Sequence, residues 1–173
     1  MYLGDPLFHS LWEELHKRRG DIADAISYLF FLLFCTAVVF LHGAANPLLT
    51  KQTFPSDILG IPVISVPHET FKAAASLVLS GVMKRFTGCR IVLAHCGGST
   101  PFLAARVAML SAYMATHYPE KYSRINYINV LEDFKKFYYE CALSGYETNL
   151  TAMDSFVSSD KILFGTDLPC VSY

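Results

Sequence analysis

The chain has 173 residues, enough for one ordinary domain, with 53% hydrophobic and 17% charged side chains against roughly 45–50% and 25% in an average soluble domain. A net charge of -1 and the lack of any Lys/Arg stripe exclude a nucleic-acid partner. Five cysteines, an odd number with no CxxC pair, exclude a disulfide framework or a structural zinc finger and point to a reducing, cytoplasmic setting.

Leu7 to Arg19 has the spacing of an amphipathic helix, with Leu7, Leu11, Trp12 and Leu15 on one face and Gly20 as its stop. No apolar signal-peptide core is present in Met1–Gly20. Ala25 to Leu41 is uncharged and follows Lys17-Arg18-Arg19. One reading makes it a membrane span at the short end of the roughly 17–25 residues required. The reading preferred here divides it: Asp21 to Thr36 is an insertion, and Ala37–Leu41 is a buried strand ending at His42-Gly43. Because the insertion is apolar but has neither helical nor strand periodicity, translation of a retained intron is one explanation for it.

A proline-rich loop then runs from Ala44 to Pro67, and Phe71 to Phe86 repeats apolar residues at helical spacing. Arg90–Ala94 is a short apolar strand ending at His95. After Cys96-Gly97-Gly98, Ser99 or Thr100 suits an N-cap and Pro101 the first turn of a long helix to about His117. Tyr118 to Asn129 reads as a polar loop over the mouth of a site. Phe137–Tyr139 is the next strand, ending in Glu140-Cys141-Ala142; Thr148 to Val157 is a helix; Lys161–Phe164 is the last strand, ending at Gly165-Thr166-Asp167. Alternation of strand and helix predicts a parallel α/β sheet, and continuous apolar strands predict cover on both faces.

His42, His95 and Asp167 stand at the C-terminal ends of three such strands, the rim where parallel α/β folds build their sites. All three are residue types that bind zinc or similar ions. A single histidine in such a place is more often a hydrogen-bonded structural residue, so the residues alone leave both readings open.

The segments VVFLHG, ETFKAAASLVLSGVMKRFTGCRIVLAHCGGSTPFLAAR and DKILFGTDLP resemble the amidohydrolase-superfamily group of nonoxidative decarboxylases, which includes aminocarboxymuconate-semialdehyde decarboxylase and the 6-methylsalicylate decarboxylases. The resemblance covers about Val38 to Pro169. It implies a partial TIM-type (β/α)8 barrel carrying strands five to eight, since a whole barrel needs about 250 residues. The domain expectation is a single partial barrel over 1–173, interrupted by the insertion at 21–36. The resemblance further implies that His42 is a metal ligand, Asp167 a ligand and proton donor, and His95 an acid/base beside them. It puts Glu69 on the loop before the next helix, where a carboxylate favoured by a helix N-terminus is the plainer reading. Arg106 is expected to bridge helix and loop, while His68 and His117 match no family position.

The implied function is a metal-dependent carboxy-lyase acting on a small aromatic or unsaturated carboxylic acid, with zinc as the first choice of metal and manganese as the second. The same constellation also supports hydrolysis. The group's His-x-His pair is missing from the histidines at 9, 16, 42, 68, 95 and 117, so the expectation is a truncated, inactive form with weakened metal binding. Two non-enzymatic readings stand beside it. One is a half-barrel whose bare sheet edges pair with another chain or a second copy; the other is a membrane-anchored protein.

Overall fold

A computed structural model describes residues 2–20, 37–43 and 60–168. The insertion at 21–36 and the loop at 44–59 lie outside the described residues, as does most of the apolar run considered as a membrane span. Among the described residues no helix is long and apolar enough to cross a membrane.

In chain order the elements are α1 (His9–Gly20), β1 (Ala37–Leu41), α2 (Val66–Leu79), α3 (Val82–Arg85), β2 (Cys89–Leu93), α4 (Thr100–His117), α5 (Pro119–Tyr122), α6 (Val130–Phe134), β3 (Tyr138–Glu140), α7 (Glu147–Phe156) and β4 (Ile162–Leu163). The four strands form one parallel sheet in the order β1-β2-β3-β4. Sequence order equals spatial order, with helical segments in the connections, as parallel pairing requires. All four strand ends therefore meet at one rim.

Helices and sheet share one core. Leu41, Ile91, Leu93 and Tyr139 from the strands pack with Trp12, Leu77, Val78, Phe134, Phe137 and Met153. Trp12 carries its indole N–H to the carbonyl of Leu3 at 2.8 Å, so its burial leaves no donor unpaired. Tyr139 likewise donates its hydroxyl to the carbonyl of Phe134 at 2.7 Å, and burial pushes its phenol far above the usual range.

Several expectations need correction. On α1 Trp12 and Leu15 turn inward while Leu11 is exposed, and Leu7, on the 3-10 turn Pro6–Phe8 before the helix, is exposed as well. Gly20 is the last residue of α1. The helix expected from Phe71 begins at Val66, where Pro67 serves the first turn. It does not reach Phe86 unbroken, since Gly81 in the left-handed region separates α2 from α3. Cover on both faces holds for β2, where Ile91, Val92 and Leu93 are all buried, but not for β1 among the described residues: Val38 and Phe40 are 64% and 55% exposed, whereas their neighbours Val39 and Leu41 face the core. The expected lid at 118–129 packs elsewhere. Asn126 bonds to the carbonyls of Leu79 and Val78 at the C-terminal end of α2, and its side chain also meets buried Asp133. Helices run back against the strands, so this is the rim away from His42 and His95.

Candidate active site

The β1–β2 ladder extends one bond past its last pair, from the N–H of Ala94 to the carbonyl of Leu41 at 3.0 Å. That bond brings the next residues, His42 and His95, side by side. The backbone then turns sharply. His95 and Cys96 both have positive φ (55° and 54°), and Gly97 and Gly98 follow in the same half of the map. Only glycine fits at 98, since a Cβ there would collide with the carbonyl of Pro67 at the start of α2. Asp167 (φ 57°) and Leu143 (φ 56°) are left-handed as well, so four of the five described non-glycine residues with positive φ lie in the loops of this rim. Strained backbone of this kind persists where surrounding structure over-determines it, which is common at functional sites.

The imidazoles are oriented by what their Nδ1 atoms touch. His95 Nδ1 is 3.0 Å from the carbonyl of Ala142, and His42 Nδ1 is 2.8 Å from the carbonyl of Gly43. A carbonyl only accepts, so each Nδ1 carries the hydrogen and each neutral ring presents a lone pair at Nε2. These two Nε2 atoms are 2.9 Å apart, with the rings meeting edge to face. Lone pairs at that distance repel unless a proton or a cation sits between them. The carboxylate of Asp167 completes the group, with its ligand atom and the two ring nitrogens all within 4.8 Å of one another. His42 is exposed, His95 buried and Asp167 half-buried. The donor set thus fits a divalent cation by both chemistry and spacing. All three residues singled out by sequence converge.

The other candidates are placed as follows. Glu69 lies in the first turn of α2, not on the preceding loop, because that helix starts early. It accepts a hydrogen bond from the Tyr2 hydroxyl at 2.7 Å and pairs with Lys72. With His42, Gly43, Tyr2, Leu3, Phe8 and Ala73 it lines a cavity of about 390 Å³. Burial raises its carboxyl, but bonds from Lys72 and Tyr2 outweigh this and hold it below the usual range. A depressed folded pKa stabilises above the unfolded value, about 4.3, and that contribution is lost as pH falls through the folded one. We expect Glu69→Gln to lower the melting temperature at pH 7 and the gap to close below about pH 4. Equal gaps at both pH values, by circular dichroism, would refute the pairing.

Arg106 is exposed on α4 and makes no helix-to-loop bridge among the described residues. His68 is exposed beside Ser99 (3.4 Å), and His117 bonds to its own helix at the carbonyl of Tyr113. Ser99 occupies the N-cap of α4 without capping through its side chain; Thr100 instead donates to the carbonyl of Gly97 at 2.5 Å. Cys96 is buried beside His95, and burial, with the nearby Cys141 and Glu140, pushes its thiol up to about 12. It is therefore no nucleophile at neutral pH. Sequence reasoning missed Glu140, whose carboxylate sits 7% exposed beneath the site. A charged residue closing an otherwise aromatic strand, Phe137-Tyr138-Tyr139-Glu140, was the available signal.

Comparison with known proteins agrees with this geometry. Residues 37–173 match the family model described as amidohydrolase. Decarboxylase yanB of Aspergillus niger is 32% identical over 97% of this chain and 41% of its own length. The 6-methylsalicylic acid decarboxylase acuB of Aspergillus aculeatus is 30% identical over 97% of this chain and 44% of its own length. The chain thus spans less than half the length of these curated relatives. Among solved structures, a dihydroxybenzoic acid decarboxylase from Polaromonas sp. JS666, with bound manganese and the inhibitor 2-nitroresorcinol, superimposes with a TM-score of 0.75 at 20% identity, over 99% of this chain and 46% of that one. By the extent of the family match and the coincidence of its strand ends with the converged side chains, this chain belongs to the amidohydrolase family.

Proposed function

We propose that the site is that of a metal-dependent carboxy-lyase acting on a small aromatic carboxylic acid of the salicylate type, built on strands five to eight of a TIM-type barrel. One observation carries the reading: two imidazole lone pairs and a carboxylate aimed at a single point on the rim of a parallel sheet. The names of the relatives favour decarboxylation over hydrolysis.

His42 and Asp167 are the ligands in this proposal. A divalent ion between them, zinc or manganese, would hold the substrate carboxylate and an ortho hydroxyl and so align the scissile bond. Asp167, after taking up a proton from solvent, delivers it to the ring carbon bearing the carboxylate and returns to its ionised form. The new C–H bond forms, the C–C bond breaks, its electron pair returns to the ring, and carbon dioxide leaves. His95 Nε2, unprotonated because Nδ1 donates to Ala142, is placed to take and return the hydroxyl proton. Two protein ligands are fewer than the three that a catalytic zinc site usually keeps, so a strand supplying a His-x-His pair completes the set.

The test is carbon dioxide release from 6-methylsalicylate with added Mn2+. The 173-residue chain alone is expected to show no turnover. Mixed with the N-terminal portion of a relative that supplies the His-x-His strand, it should release carbon dioxide, and Asp167→Asn should abolish this. Turnover by the lone chain would overturn the requirement for further ligands. Release that survives Asp167→Asn would remove Asp167 from its role.

A further inference from the structure

We infer that Glu140 is the positioning residue of this site, a buried carboxylate that fixes the His95 ring and the Asp167 loop together. The inference rests on the reading of His95 and Asp167 given above. Glu140 closes β3 in the interior of the sheet and is 7% exposed. Its Oε1 accepts the N–H of Ala142 at 2.5 Å, and its Oε2 accepts the backbone N–H of His95 at 3.4 Å. Ala142 in turn offers its carbonyl to His95 Nδ1. One carboxylate therefore holds His95 from behind and, through Ala142, holds the group that decides which ring nitrogen carries the hydrogen.

The third contact is steric. A Cβ on Gly165 would collide with Glu140 Oε1, so the Gly165-Thr166-Asp167 loop lies directly against the carboxylate. Three strand exits, those of β2, β3 and β4, thus meet on a single side chain. No cation pairs with Glu140 among the described residues; its bonds are to main-chain N–H groups. Charge-assisted bonds of this type are directional, and the one from Ala142 is short while the one from His95 is long. They suit a group whose task is to orient its neighbours. The ring tautomer follows from this arrangement: while Ala142 stays in place, His95 keeps its hydrogen on Nδ1 and its lone pair toward His42.

The experiment uses the 173-residue chain labelled with 15N at histidine, read at pH 8, with His95→Gln to assign the signals. Wild-type protein should show His95 as the Nδ1–H tautomer. Glu140→Ala should convert it largely to the Nε2–H form that an unrestrained histidine favours in water. Glu140→Gln matches the volume against Gly165 and can still accept from Ala142, but it turns an amide NH2 toward the His95 N–H; it should give a mixture of the two forms. Affinity for Mn2+ alone, by electron paramagnetic resonance, should fall in the same order, through the loosened loop of the ligand Asp167 and not through His95, by about 10–100-fold for the alanine variant. Circular dichroism reports whether each variant folds. Should Glu140→Ala fail to fold, the glutamine variant decides: an unchanged 15N pattern with unchanged Mn2+ affinity overturns the inference. None of these readouts requires turnover, so failure of the decarboxylase proposal leaves them intact.

Discussion

Asp167→Asn is expected to weaken Mn2+ binding by at least about 100-fold, more than the roughly 10–100-fold that loss of an outer partner costs. The substitution keeps size and shape but removes the negative charge, and among the described residues no other carboxylate shares the converged group. His42→Ala should have an effect of the same order, since it removes one of the two proposed ligands. His95→Gln is the informative contrast. A residue that acts on protons beside the metal should leave Mn2+ affinity within about tenfold, below the cost of losing a ligand, while removing any turnover. If titration calorimetry shows His95→Gln as damaging as Asp167→Asn, His95 is a ligand and the division of roles proposed here is wrong.

The second large effect concerns stability. Phe134→Ala should cost about 3–5 kcal/mol, a large part of the roughly 5–15 kcal/mol that holds an ordinary domain together. Phe134 is fully buried, its ring lies tilted beside that of Phe137, and its carbonyl receives the Tyr139 hydroxyl. The sole tryptophan, Trp12, belongs to the same core cluster, so its fluorescence follows unfolding in urea directly. Phe102→Ala is the control: that ring is largely exposed on α4 and should change stability by no more than about 0.5 kcal/mol. Equal midpoints for the two variants would show that the core is not where it is described.

Sequence made some of this legible and hid the rest for physical reasons. Each strand ended where an apolar run met a polar or glycine residue, and that change of polarity located His42, His95 and Asp167 before any coordinates. Pro67 misled, since the same residue serves a loop or a first helical turn, and only the packing of Val66 and Thr70 decides between them. The five-residue α6 escaped because one turn and a half carries too little periodicity to register. Glu140 escaped for another reason: its importance depends on the backbone N–H groups of His95 and Ala142, one of them 45 positions away, and main-chain donors leave no trace in a sequence. The left-handed conformations of Cys96 and Leu143 were equally invisible, because neither is a residue type enriched at positive φ; His95 and Asp167 are of enriched types, yet most residues of those types still have negative φ.

The uncovered side of β1 bears on how this polypeptide must be handled. Parallel strands joined by helical crossovers assemble slowly, since distant parts of the chain have to meet first. Throughout that interval Val38 and Phe40 offer sticky patches to any neighbouring molecule, and they keep doing so after the sheet is complete. Recovery from denaturant should accordingly drop as the solution is made more concentrated, and dilution should restore it.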